Sequence, residues 1–341
     1  MNRTAQKRLE TLSPFEVKNT LIALADKNYD KATINAGRGN PNWVATTPRE
    51  AFFKLGEFSL LEANRKFKNY PGFGGVAEKA GIEARFNEYF LNNQSEGTAL
   101  LNDALNYCHN DLNIAKADLL LEWTDGILGD NYPVPDRMLK ASEKIVEQYI
   151  LQEMGAKNTS VSGKFDVFAV EGGTAAMVYI FNTLKSNGFL NAGDTIAIGA
   201  PVFTPYIEIP ELEDYQLNKI EIHADENNGW QMTGEELDKL KDPTVKAFFL
   251  VNPSNPASVK LDIETLQKIA DIVKQRPDLI LLTDDVYGTF ADDFTSLAMI
   301  APQNTILVYS FSKYFGATGW RLGAIATHED NIFDDMLSNL P

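Results

Sequence analysis

The sequence predicts an α/β fold, a mainly parallel sheet with helices on both faces, preceded by N-terminal helical segments. Short apolar runs at 166–170, 195–200, 247–251, 279–283, 305–309 and 323–327 alternate with helical patterns such as 175–185 and 263–274. Strands that alternate with helices build parallel βαβ units. Ahead of them the apolar residues recur at helical spacing instead, as at Ile82, Phe86, Tyr89 and Phe90.

Taken in order, the residues up to about 35 read as a helix, with Phe15, Val17, Leu21 and Ile22 at helical spacing. Asn35-Ala36-Gly37-Arg38-Gly39-Asn40-Pro41-Asn42-Trp43 breaks that pattern. Its glycines tighten the backbone around Arg38 and present the guanidinium on a loop, either to solvent or to a ligand. Residues 76–121 are helical and amphipathic, a structural unit or an oligomer contact. Asp130-Asn131-Tyr132-Pro133-Val134-Pro135 is a turn that leads into a helix over 138–154.

Composition narrows the function. Among 341 residues, 44% of them hydrophobic, no apolar run approaches the roughly 20 residues that span a bilayer, so no membrane partner is expected. A net charge of −16 opposes binding to nucleic acid, which needs clustered Lys and Arg. The single cysteine, Cys108, fits a reducing compartment, and the N-terminus leads into charged sequence, so the cytoplasm is expected. His109, His223 and His328 lie far apart with no Cys-x-x-Cys pair, which gives no metal-site pattern. Gly72-Phe73-Gly74-Gly75-Val76-Ala77 matches a degenerate dinucleotide fingerprint but follows no strand, so a nicotinamide site is rejected.

In open α/β sheets ligands bind at the carboxyl ends of the strands. The first such end carries Glu171-Gly172-Gly173-Thr174, where glycines and a helix N-terminus suit an anion. The next carries Phe203, which either stacks on a flat ligand or joins the core. Asn252-Pro253-Ser254-Asn255-Pro256 follows, an ordinary turn or an amide donor to a phenolic oxygen. Thr283-Asp284-Asp285-Val286-Tyr287 comes next, with a carboxylate able to hold a pyridine nitrogen protonated. A metal pair at Asp284 and Asp285 is disfavoured because adjacent strand residues face opposite ways. The last, Ser310-Phe311-Ser312-Lys313, places an amine before a fixed cation, Arg321, an arrangement suited to a Schiff base with a phosphate-bearing aldehyde cofactor.

This ordered set resembles the aspartate-aminotransferase superfamily, the fold-type I enzymes that use pyridoxal phosphate (PLP), over nearly all of residues 35–327. The diagnostic pieces are Asn-Pro-x-Asn-Pro from Asn252 to Pro256, Asp-x-x-Tyr from Asp284 to Tyr287, and Ser-x-Ser-Lys with Gly-x-Arg-x-Gly between Ser310 and Gly323. The resemblance implies Lys313 as Schiff-base lysine and general acid/base and Asp284 as partner of the pyridinium. It further implies Tyr287 and Asn255 at the ring oxygen, Ser310, Arg321, Gly173 and Thr174 at the phosphate, and Phe203 stacked on the ring. The family also draws a phosphate-contacting Tyr from the neighbouring subunit, about 40 residues before the glycine turn. Tyr132 fits that spacing and Tyr70 does not, unless the helical segment after Tyr70 is an insertion.

Within the superfamily, the long helical stretch before Tyr132, the loop around Arg38 and the block after Phe311 resemble the aspartate 4-decarboxylase branch. That branch implies an N-terminal arm at 1–50, a helical insertion at 51–130 and a large cofactor-binding domain at 131–341. It implies removal of the C4 carboxylate of L-aspartate to give L-alanine and CO2, with aspartate aminotransferase activity on 2-oxo acids beside it, in a homo-oligomer built from dimers. Arg38 is the candidate for orienting the β-carboxylate. The family continues into a C-terminal small domain with the Arg that takes the substrate α-carboxylate, and this sequence ends 20 residues after Arg321, so that domain is expected to be absent. A plain aspartate-type aminotransferase and a catalytically silent truncated scaffold are the alternatives.

Overall fold

The computed structural model describes residues 12, 14–27, 39–132, 137–203, 205–212 and 214–340. The first helix, α1 (Pro14–Asp26), precedes a group formed by α2 (Thr46–Asn64), α3 (Ile82–Asn92), α4 (Glu96–Asn110) and α5 (Lys116–Leu128). These four pack their apolar stripes together: Phe58, Ile82, Phe86, Leu105, Leu119 and Leu120 share one buried cluster. The Phe58 and Phe86 rings meet edge to face at 5.2 Å, and Arg85 forks onto the buried Glu62 carboxylate with Nε at 2.7 and 2.9 Å. Ile82, Phe86 and Tyr89 are buried and Phe90 half-buried, as their spacing predicts. Ser95 and Thr98 close a capping box that fixes where α4 starts.

Helix α6 (Lys140–Glu153) leads into a single sheet of β1 (Phe165–Val170), β2 (Thr195–Ala200), β3 (Asn218–Asp225), β4 (Gln231–Met232), β5 (Val245–Val251), β6 (Ile280–Asp284), β7 (Thr305–Ser310) and β8 (Gly323–His328). The spatial order is β1-β8-β7-β6-β5-β2-β3-β4. Strands β3, β2, β5, β6 and β7 run parallel. The antiparallel pairings lie toward the edges, β8 on β7, β1 on β8 and β4 on β3.

Six strands match the apolar runs read from the sequence. Strands β3 and β4 do not, for a physical reason: β3 alternates Ile220, Ile222 and Ala224 with Lys219, Glu221 and His223 near the edge of the sheet, so it shows no continuous run, and β4 has only two residues. The central strands are buried throughout.

Alternation along these strands sorts residues between two layers. Phe249, Val251, Ile280, Leu282 and Val308 face α7 (Gly173–Ser186), which contributes Ala176, Met177, Ile180, Phe181 and Leu184. Phe248, Leu250 and Leu281 face the opposite way, toward Leu266, Ile269, Ile272 and Val273 of the long helix at Ile263–Gln275. The parity continues to the strand ends. Asp284 follows Ile280 and Leu282, and Ser310 follows Val308, so both emerge on the α7 side.

Candidate active site

At the carboxyl ends of the parallel strands lies a cavity of about 760 Å³. Nine of the residues singled out in the sequence line it: Gly173, Thr174, Phe203, Asn255, Asp284, Tyr287, Ser310, Lys313 and Arg321. Tyr132 is not among them; it follows α5 at 97% exposure. Arg38, residues 133–135 of the turn and the sequence before Pro14 lie outside the described residues, Leu12 excepted.

Asp284 ends the buried central strand β6. Its Oδ2 accepts a 2.7 Å hydrogen bond from the Tyr206 hydroxyl and its Oδ1 accepts the Val286 N–H at 3.1 Å. Burial raises its pKa, while Tyr206, Val286 and the nearby Lys313 pull it down. Asp285 faces the other layer, held by the Thr283 hydroxyl and not by the cavity. Among the described residues no cluster of His, Cys, Asp and Glu is arranged to hold a metal ion.

At another wall, α7 starts without a side-chain cap, after Gly172 at φ 90°. Its first N–H groups therefore have no acceptor within the helix and carry the positive end of its dipole. The Arg321 guanidinium packs directly over this turn: a Cβ on Gly172 would lie 2.4 Å from Nη2. Arg321 itself sits at φ 55°, donating to Thr318 O at 2.7 Å and Glu171 O at 3.0 Å. Ser310, at the end of β7, is the nearest neighbour of Gly173, with its Cβ 3.9 Å from where a Cβ on Gly173 would stand. Its hydroxyl donates to Ser312 Oγ at 2.9 Å.

Lys313 follows in the loop after β7 and donates to the carbonyl oxygen of Gly39 at 2.7 Å. Burial lowers its pKa, and the Arg321 charge adds to the effect against the pull of Asp284. Burial also raises the pKa of the half-buried Tyr287, with the Asp284 charge adding to the rise. Phe203 lines the cavity and also packs against the α7-side core.

Several cavity residues were not picked out from the sequence. Tyr206 lies three positions after Phe203 in the same strand-end segment, and nothing in a single sequence marks which ring faces the carboxylate. Gly39 and Asn40 adjoin Arg38, in a loop recognised only for its cation. Ser312 belongs to the Ser-x-Ser-Lys motif without having been given a role. Lys18 reaches the cavity from α1, and its helical spacing gave no hint of that.

The arrangement fits a flat cofactor with one anionic arm. It offers a carboxylate at one end, an uncapped glycine turn with Arg321 and Ser310 at another, and an amine of lowered pKa between them. The chain belongs to the class I and II aminotransferases, whose family model matches residues 139–340. Pyridoxal phosphate is the cofactor that this membership implies, and the carboxylate, amine and phosphate cradle just described suit it.

Among relatives, the chain is 56% identical over 338 residues to the bifunctional aspartate aminotransferase and L-aspartate beta-decarboxylase of a Pseudomonas species, which covers 98% of this chain and 64% of that protein. It is 28% identical over 203 residues to an aspartate aminotransferase of Pyrococcus abyssi, covering 58% of this chain and 48% of that one. Among solved structures, a putative kynurenine aminotransferase from Saccharomyces cerevisiae matches with a TM-score of 0.61 at 18% identity, over 99% of this chain and 63% of its own. That match carries the fold alone. The chain spans less than two thirds of the length of the relatives it matches.

Proposed function

We propose that this chain provides the cofactor site of an enzyme that removes the C4 carboxylate of L-aspartate, giving L-alanine and CO2, with aspartate aminotransferase activity on 2-oxo acids beside it. The observation that carries the reading is the gathering of Lys313, Asp284 and Arg321 around one cavity, in a chain 56% identical to a protein named for both activities.

Bound pyridoxal phosphate supplies an electron sink for the carbanion left when a bond next to the substrate nitrogen breaks. In this reading Asp284 keeps the pyridine nitrogen protonated, and the charge of the carboxylate is maintained by its Tyr206 and Val286 donors. Arg321, Ser310 and the free N–H groups of Gly173 and Thr174 hold the phosphate. Phe203 covers the ring, and Tyr287 and Asn255 donate to its oxygen. Lys313 anchors the cofactor and, once released, moves the proton at the substrate Cα. Burial lowers its pKa, which favours the neutral amine this needs.

Arg38 is proposed to orient the β-carboxylate. A full ion pair would stabilise that carboxylate in the ground state and slow its loss, so orientation without complete charge pairing favours decarboxylation. Tyr132 is proposed to reach the cavity of a second subunit in an oligomer built from dimers. The division into an arm at 1–50, a helical unit at 51–130 and a cofactor domain at 131–341 belongs to the same proposal, as does a cytoplasmic location. Among the described residues no helix is long and apolar enough to cross a membrane.

Product analysis after adding L-aspartate and pyridoxal phosphate to the protein tests this. Alanine with an equal amount of CO2 is expected. Oxaloacetate formed only in step with amination of an added 2-oxo acid would reduce the reading to a plain aspartate aminotransferase.

A further inference from the structure

The loop that carries Lys313 packs Phe311 and Phe315 on Tyr149, while its turn carbonyls are bonded from the start of α2. Gly316 N–H closes a turn onto Lys313 O at 3.0 Å, and the remaining carbonyls of the turn point toward residues 43–49. Trp43 Nε1 donates to Tyr314 O at 3.0 Å. The Ala45 N–H donates to Phe315 O at 3.4 Å. Arg49 Nη1 reaches Phe315 O at 3.3 Å, and its Nη2 reaches Gly316 O at 2.8 Å. Thus every carbonyl of the four-residue turn has a donor, and three of the four are served from one short segment of α2 and its approach. The packing is equally close, since a Cβ on Gly316, at φ 58°, would stand 2.2 Å from Trp43 O.

Arg49 is the centre of this strap. Its Nη1 also donates to Ala45 O at 2.7 Å, which fixes the guanidinium on its own helix, and its carbon lies 5.2 Å from the centre of the Trp320 ring. A planar fork held at three carbonyls and one aromatic face is a rigid spacer, which a flexible ammonium cannot reproduce. The amine of Lys313 rests on Gly39 O, four residues before Trp43, so residues 39–49 bond the tip of Lys313 and the three carbonyls that follow it.

We propose that Arg49 is a positioning residue for Lys313: by holding the carbonyls of Phe315 and Gly316, it keeps the turn, and with it the amine, in place against the Gly39 carbonyl. The inference rests on the reading of Lys313 as the cofactor lysine, but its test does not. The groups facing the amine are Arg321, Asp284, Tyr287 and Lys18, all lining the same cavity. Arg49 stacks on Trp320, next to Arg321, so Arg49→Lys, which keeps the charge and loses the planar fork, separates the strap from the charge. Loosening the turn lets water reach Nζ, and less desolvation means a higher pKa and less neutral amine at neutral pH.

The measurement is competitive acetylation of the full chain, dialysed free of cofactor, with acetic anhydride from pH 6 to 10, read at the Lys313 peptide by mass spectrometry. Arg49→Gln is expected to shift the Lys313 profile to higher pH, with about tenfold less labelling at pH 7, as for a lysine nearer its ordinary proton affinity. Arg49→Lys is expected to fall between it and the parent. An Arg49→Gln profile that overlays the parent's would overturn the proposal. Should Arg49→Gln not fold, Trp43→Phe removes the donor to Tyr314 O and keeps an aromatic ring beside Phe290. It is expected to move the same profile in the same direction by less, and an unmoved profile there would equally overturn the strap. Borohydride trapping of added pyridoxal phosphate separates the two readings: no trapping at Lys313 in the parent removes the cofactor assignment, while the acetylation profiles still decide the strap.

Discussion

The Tyr206 hydroxyl donates a hydrogen bond to Oδ2 of Asp284 at 2.7 Å, with both groups buried at the carboxyl end of the central strand. A buried carboxylate is expensive unless donors surround it. Here Tyr206 and the Val286 N–H work against the burial that raises the pKa of Asp284. Tyr206→Phe removes one donor without changing the ring. The pKa of Asp284 should rise further, so the acid limb of the pH–rate profile moves to higher pH and turnover falls about tenfold, the scale of one hydrogen bond to a charged group. A profile identical to the parent's would show that Asp284 does not depend on Tyr206.

The Arg321 cradle makes a different prediction, about one arm of the cofactor only. Arg321→Ala should weaken pyridoxal phosphate binding by about 10- to 100-fold, the range for a charge-assisted bond. Binding of pyridoxal, which lacks the phosphate, should change little. Gly172→Ala should copy this pattern, because its Cβ would stand 2.4 Å from Arg321 Nη2 at a backbone φ of 90°. Equal losses for both ligands, measured by fluorescence titration, would move Arg321 away from the phosphate.

Asp285 supplies a prediction about stability. Burial pushes its carboxyl up to about 7, with the Ser296 and Thr283 hydroxyls offsetting only part of the effect. The folded state therefore binds a proton that the unfolded chain releases near pH 4. Between about pH 4 and 7 the folded state holds more protons, so this residue's contribution to stability falls as pH rises across that window. Asp285→Asn should flatten that part of the curve of melting temperature against pH. An unchanged slope would show that Asp285 is ionised in the fold across the whole range.

The helical group of α2 to α5 makes a prediction about packing. Phe58 is 1% exposed and packs against Phe86 and Tyr89. Phe58→Ala should cost about 3–5 kcal/mol, as for other buried aromatic truncations. Chemical denaturation would show the loss, and a change of under 1 kcal/mol would mean that the cluster collapses around the gap.

The strand ends were legible because their chemistry lies in local motifs. Asp284, Ser310 and Lys313 each follow a continuous apolar run, and a buried parallel strand leaves exactly such a run in the sequence. Gly172 was legible because a backbone at positive φ selects glycine, and Gly173 because it opens the helix that follows the strand. Tyr206 and Gly39 were not, since their roles come from distant pairings, Tyr206 with a residue 78 positions away and Gly39 with one 274 positions away. The strap from Arg49 was hidden for the same reason: a surface Arg in a helical pattern looks the same whether it meets solvent or three carbonyls. Strand β3 escaped because an alternating strand near a sheet edge lacks the continuous run that marks the centre.

In the proposed function the cavity holds pyridoxal phosphate on one particular lysine, Lys313. Adding the cofactor to the protein, reducing with borohydride and mapping the modified peptide tests it most directly. The account predicts a single stoichiometric label on Lys313, lost together with the visible absorbance of the lysine-bound cofactor in Lys313→Ala. A stoichiometric label on any other lysine, or a parent spectrum retained by Lys313→Ala, would contradict it.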